Sequence, residues 1–179
     1  MHIHYFTPYS LCRNLGGAYN YYMSLLPKNK DYAAFVDADA MFLTPDFGTQ
    51  IHKIVEAHPE AGMFTCVTNR VGHLGQCYKN MLSSNHDIIH HKRIASTLQL
   101  KYKSKVIKIK TPISGHLMII QKKVWLKYKF SKGLLGVDNY ISGKLQSAGY
   151  PVYLMKGVYM FHYYRLIEGS TFKGHLKHK

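Results

Sequence analysis

Residues 32–48, YAAFVDADAMFLTPDFG, hold the stretch on which the reading of the fold turns. Tyr32 to Val36 form an uninterrupted apolar run, the pattern of a strand buried on both faces. Asp37 and Asp39 follow at its end, separated only by Ala38, so in an extended segment their side chains leave on the same side. The chain has 9 Asp+Glu against 24 Lys+Arg, a formal net charge of +15, so two carboxylates set together among apolar residues are conspicuous. Carboxylates converging at a strand end suit a hard divalent cation, Mn²⁺ or Mg²⁺, that keeps open positions for phosphate oxygens. The plainer alternative is a strand-end turn with two solvated aspartates.

Working outward, residues 2–7, HIHYFT, alternate polar and apolar before Pro8 and predict a short first strand. In NLGGAYNYYMSLLP, Leu15, Ala18, Tyr19, Tyr22 and Leu26 fall at helical spacing, with Asn14 placed to cap the start and Pro27 to stop it. PDFGTQIHKIVEAHPEAG predicts a helix with Ile51, Ile54, Val55 and His58 on one side, ending at the break from Pro59 to Gly62. MFTCVT reads as a strand that runs into a glycine-containing loop, NRVGHLGQ. A helix is expected around HDIIHHKRIASTLQL, a strand at HLMIIQ, a short helix at KKVWLKY and another at GVDNYISGKLQSAGY. PVYLMKGVYMFHYYR supplies one or two last strands. Alternating strands and helices predict an α/β fold, with a mainly parallel central sheet and helices on both faces. In KYKSKVIKIK the alternation of Lys101, Lys103 and Lys105 predicts a solvated edge strand rather than a nucleic-acid groove.

At 179 residues, with 46% hydrophobic and 13% aromatic content, the chain has the size and apolar material of one domain. That domain is expected over residues 1–165, followed by a basic tail over 166–179 that is short of apolar residues. The three cysteines, Cys12, Cys66 and Cys77, form no CxxC pair and make a poor disulfide framework, which predicts a reduced, cytoplasmic setting. MHIHYFTPYS lacks the features of a signal peptide, and no run reaches roughly 18 uninterrupted apolar residues, so membrane contact is expected to be peripheral, at the inner face. The positive charge predicts attraction to phosphates, whether of nucleotide, nucleic acid or anionic lipid.

Four elements in order resemble glycosyltransferases of the GT-A fold. They are NLGGAYN, similar to an Asn-x-Gly-x-Ala-x-Asn element; FVDADAMFL, similar to the Asp-x-Asp strand end; LLGVDNYISGKLQSAGY, similar to the helix opened by an acid beside the acceptor; and YMFHYYR, similar to the late strand with a ligand histidine. The resemblance implies a single-domain nucleotide-diphospho-sugar transferase fold. The implied activity is metal-dependent transfer of a hexose from a nucleotide-diphosphate sugar, a UDP-sugar, to an acceptor hydroxyl, in cell-surface glycan or polysaccharide synthesis. The acceptor would be a sugar or lipid-linked, and no nucleic acid is expected. By the same resemblance Asp39 binds Mn²⁺ or Mg²⁺ directly, Asp37 contacts the metal or the donor ribose, and His162 completes the metal ligands. Thr7, Pro8 and Tyr9 would lie at the nucleobase, with Asn14 and Ala38 also on the donor side. Tyr164 and Arg165 would reach the diphosphate. Asp138 would take the acceptor proton in an inverting enzyme, although a carboxylate at a helix start also simply complements the helix dipole. Asn69, Arg70, Ser114, Gly115, His116 and Asn139 would face sugar and acceptor.

Two other readings compete. A haloacid-dehalogenase-like phosphatase also ends a strand in Asp-x-Asp, but it wants Thr or Val where Met41 stands. It also needs a later acidic pair, and Asp46, Glu56, Glu60, Asp87, Asp138 and Glu168 offer none. A basic nucleic-acid-binding module would explain the charge, but no zinc pattern, recognition helix or ribonucleoprotein aromatic motif accompanies it.

Overall fold

The structure is a computed structural model that describes residues 1–10 and 12–164. Arg165 and the tail over 166–179 lie outside the described residues. The strands are β1 (Ile3–Phe6), β2 (Tyr32–Val36), β3 (Ala40–Phe42), β4 (Met63–Thr68), β5 (Val106–Ile109), β6 (Leu117–Gln121) and β7 (Val152–His162). The helices are α1 (Leu15–Ser24), α2 (Phe47–Ala57), α3 (Ile88–Tyr102), α4 (Lys122–Lys127) and α5 (Val137–Ser147).

The strands form one sheet in the order β1-β2-β6-β4-β7-β3, with β5 also paired to β7. The expected α/β class is observed, but the sheet is mixed rather than mainly parallel. Only β1 with β2 and β4 with β7 are parallel, while β6 runs antiparallel to both its neighbours and β3 and β5 run antiparallel to β7. Strands buried on both faces read as continuous apolar runs whatever their direction, so the pattern of residues 117–121 carries no sign of its reversal.

Alternation within the central strands separates two faces. Ala33 and Phe35 of β2, with Met118 and Ile120 of β6, pack against Tyr19, Met23, Trp125, Ile141 and Leu145 from α1, α4 and α5. Ala34, Phe64, Leu117 and Ile119 point the other way, onto Ile51, Ile54 and Val55 of α2. A smaller cluster seats Ala95 and Leu98 of α3 on Val67, Leu154 and Tyr159.

β7 is one strand, not two, and it is bent by a bulge. Its register against β4 jumps so that Cys66 faces Met155 but Val67 faces Tyr159. Extra residues on one strand sharpen its twist. The first half of β7 thereby pairs with β5 and its end with β3. β3 was not expected: its three residues continue the apolar run after Asp39 without a break in pattern. The edge strand expected over 101–110 is present but shorter, as β5 paired to β7 alone, because Lys101 belongs to α3 and Lys103 ends that helix with φ 46°. No described helix is long and apolar enough to cross a membrane.

Candidate metal centre and adjoining pocket

The motif NLGGAYN is a set of stitches. Asn14 caps α1, its Oδ1 accepting from Gly17 N and from Gly133 N, each at 3.0 Å. Gly16 packs so tightly on the 131–133 segment that a Cβ there would stand 1.7 Å from Ser131 O. Asn20 donates to Phe130 O at 2.9 Å and accepts from Trp125 Nε1 at 2.8 Å. Together they hold α1 against the chain that leads into α5 and Asp138.

At the carboxyl end of β2, Asp37 N donates to His116 O, and Ala40 N turns back to Asp37 O at 3.1 Å. Ala38 is exposed at the tip of this turn. Ala40 then pairs with His162, and Tyr163 N donates to Asp39 O at 2.8 Å, so both aspartates are delivered to the end of β7. There His162 Nε2 stands 3.1 Å from Asp39 Oδ1 and 3.6 Å from Asp37 Oδ2. The three side chains offer ligand atoms within 4.8 Å of one another. His162 is buried, 4% exposed, while Asp37 and Asp39 keep 39% and 51%, so the group opens on one side only.

The imidazole is fixed from behind. Its Nδ1 lies 3.0 Å from Arg70 O, an acceptor, and therefore carries a proton. Asn69, itself buried, accepts from His162 N at 2.7 Å and donates to His162 O at 3.0 Å, clamping the residue's backbone. With Nδ1 spent on a carbonyl, Nε2 is the ring atom left facing the two carboxylates and free to ligate a cation held between them. Two carboxylate oxygens and one imidazole nitrogen are a donor set that could hold a divalent metal ion, and the open side leaves room for other oxygens.

Electrostatics divide the aspartates. Burial pushes Asp37 up to about 6, with the charges of Asp39 and Asp138 acting the same way against the pull of His162. Asp39 is held below the usual range by its hydrogen bond from His162, which outweighs its partial desolvation. His116, buried beside them with its ring stacked on His162 at 5.8 Å, is pushed down to about 3, chiefly by burial and then by the charge of His162, and so is neutral.

A pocket of about 430 Å³ adjoins the group, lined by Asp37, His73, Gly115, Asp138, Asn139, His162 and Tyr164 among others. Tyr164 stacks on His162 at 5.3 Å. Gly136, with φ 72°, turns the chain into α5 so that Asp138 sits in the first turn, its Oδ1 accepting from Asn139 N. Gly115 is small for Asp138, since a Cβ there would be 3.0 Å from the aspartate's Cβ.

The remaining expected residues divide. Arg70 bonds Ser84 Oγ through Nη1. Ser114 Oγ accepts from His73 N, and Asn69 is occupied with His162. Tyr9 lines a separate shallow groove with Asn14, Tyr21 and Tyr22, while exposed Thr7 and half-buried Pro8 follow β1 at the same end of the sheet. Sequence reasoning missed two organisers of the pocket wall. Buried Gln76 bonds Thr65 Oγ1, Ser114 O and Ser114 N, and His73 Nε2 donates to Asn139 Oδ1 at 2.9 Å. Their only trace was a loop containing glycines.

No protein-family model matches this chain, and no curated protein matches it. What the site can do therefore rests on its own donor set.

Proposed function

We propose that the chain is a metal-dependent glycosyltransferase of the GT-A type, moving a hexose from a nucleotide-diphosphate sugar, a UDP-sugar, to an acceptor hydroxyl. The observation that carries this reading is the convergence of Asp37, Asp39 and His162 at the mouth of a pocket that also holds Asp138. A bound Mn²⁺ or Mg²⁺ supplies Lewis-acid neutralisation of the negative charge on the departing nucleoside diphosphate. Asp39 and the Nε2 of His162 hold fixed positions for that cation, and Asp37 joins them once it is ionised. Asp138 sits on the pocket wall with Oδ1 already accepting from Asn139 N, which leaves Oδ2 to take the acceptor's proton. Neutral His116 behind His162 and the stacked Tyr164 keep water from the ring faces of the ligand histidine.

The test is a panel of nucleotide sugars assayed for Mn²⁺-dependent hydrolysis or transfer, with Asp39→Ala and Asp138→Asn beside the parent. The reading predicts turnover of at least one UDP-sugar, abolished by EDTA and by Asp39→Ala. For Asp138→Asn it predicts a fall of about 10²–10⁴-fold in kcat with donor binding retained. Turnover in Asp39→Ala equal to the parent's would sink it.

A further inference from the structure

The pocket has a lip that the chemistry inside it does not use. Leu134 and Leu135 line a smaller cavity of about 280 Å³ that shares Asp37, Asp138 and Tyr164 with the first, yet they stand 46% and 65% exposed. They stand on a loop between Gly133 and Gly136, whose φ values of 129° and 72° favour glycine. The loop is anchored on α1, Gly133 N donating to Asn14 Oδ1 and Gly16 N to Gly133 O, each at 3.0 Å. Exposed Arg13 precedes Asn14 at this anchor, and exposed Lys132 and Lys129, the latter with its ammonium over Trp125, precede the leucines along the chain. Leu74, 49% exposed, follows in sequence His73, which lines the larger pocket and bonds Asn139. Apolar side chains left in water and flanked by cations have the make-up of an interfacial anchor.

We infer that the mouth of the pocket seats on an anionic lipid surface. Leu134 and Leu135 enter the acyl boundary, and Arg13, Lys129 and Lys132 meet lipid phosphates. Charge complementarity favours this occupant over a second copy of the chain, because two copies at this face would set like charges together in a molecule of formal net charge +15. Nucleic acid would satisfy the cations and leave the leucines without a partner. The inference rests on the proposed transfer reaction only for its purpose, which is to bring a lipid-borne acceptor hydroxyl opposite Asp138. Binding to lipid needs no turnover.

The experiment is co-sedimentation of the full chain with phosphatidylcholine vesicles, with and without about one-third phosphatidylglycerol. Expected are binding to the anionic vesicles alone, release by high salt, and partition weakened about tenfold or more in Leu134→Ser/Leu135→Ser. Mn²⁺ binding and the thermal midpoint should be unchanged in that variant, and the milder Leu134→Ala/Leu135→Ala serves if the serine pair misfolds. Lys132→Glu should weaken partition as well. Vesicle binding that persists in Asp39→Ala supports the inference even where the proposed reaction fails. Three outcomes each overturn it: equal partition of parent and leucine variants, equal binding to neutral vesicles, or a lipid-free dimer that the leucine variants break up.

Discussion

Both ring nitrogens of His162 meet oxygen, Nδ1 at Arg70 O and Nε2 at Asp39 Oδ1. The ring is oriented by Arg70 O, and the residue's backbone is held by Asn69. Asn69→Ala would leave a buried N–H and C=O unpaired, which costs about 1–3 kcal/mol. It should lower the midpoint of urea unfolding and weaken Mn²⁺ binding together, as chemical denaturation and metal titration would show. Asp37 sets the pH dependence. Its carboxyl is raised to about 6 from an ordinary 3.8, so its protonated form is the one favoured by the fold. The folded protein without metal therefore loses stability as pH rises through this window, whereas metal binding gains, because Mn²⁺ must displace the proton. Mn²⁺ affinity should fall about tenfold between pH 7 and pH 5, where about one Asp37 in eleven remains charged; a flat profile would count against Asp37 as a ligand. Asp37, Asp39 and His162 were legible because acids are scarce and the motifs fall in order. Asn69 was not legible as a clamp, since its partner is backbone in a strand far along the chain.

Among the elements, α1 shows why NLGGAYN reads as a unit. Each residue type answers one contact: a cap at Asn14, a close approach at Gly16, a bridge at Asn20. Gly16→Ala must drive α1 away from Ser131 and should destabilise the fold by about 1–3 kcal/mol or more. If the proposed transfer is right, it should also lower that turnover by loosening the path to Asp138. Gly143, inside α5 with nothing near its missing Cβ, gives the opposite sign: Gly143→Ala should stabilise by about 0.5–1 kcal/mol. Parallel urea titrations of the two variants check both. Most strands and helices were legible from periodicity and from capping residues. β3 and strand direction were not. A three-residue strand carries no period of its own, and apolar runs buried on both faces look alike in either orientation.

For the whole molecule, the α/β class followed from alternating patterns, while the mixed order of the sheet is a tertiary outcome of which strands meet. The formal charge of +15 predicts attraction to anions, and the proposed lipid contact locates one such surface at exposed Leu134 and Leu135. Against that positive balance, Asp37 and Asp39 converge with His162 beside the pocket that Asp138 lines. The measurement that tests this most directly is Mn²⁺ binding followed by electron paramagnetic resonance, with and without UDP. The parent should take up one Mn²⁺ per chain, bound more tightly when UDP is present, and both Asp39→Ala and His162→Ala should lose it. Mn²⁺ uptake that is absent from the parent, or undiminished in those two variants, would contradict the account.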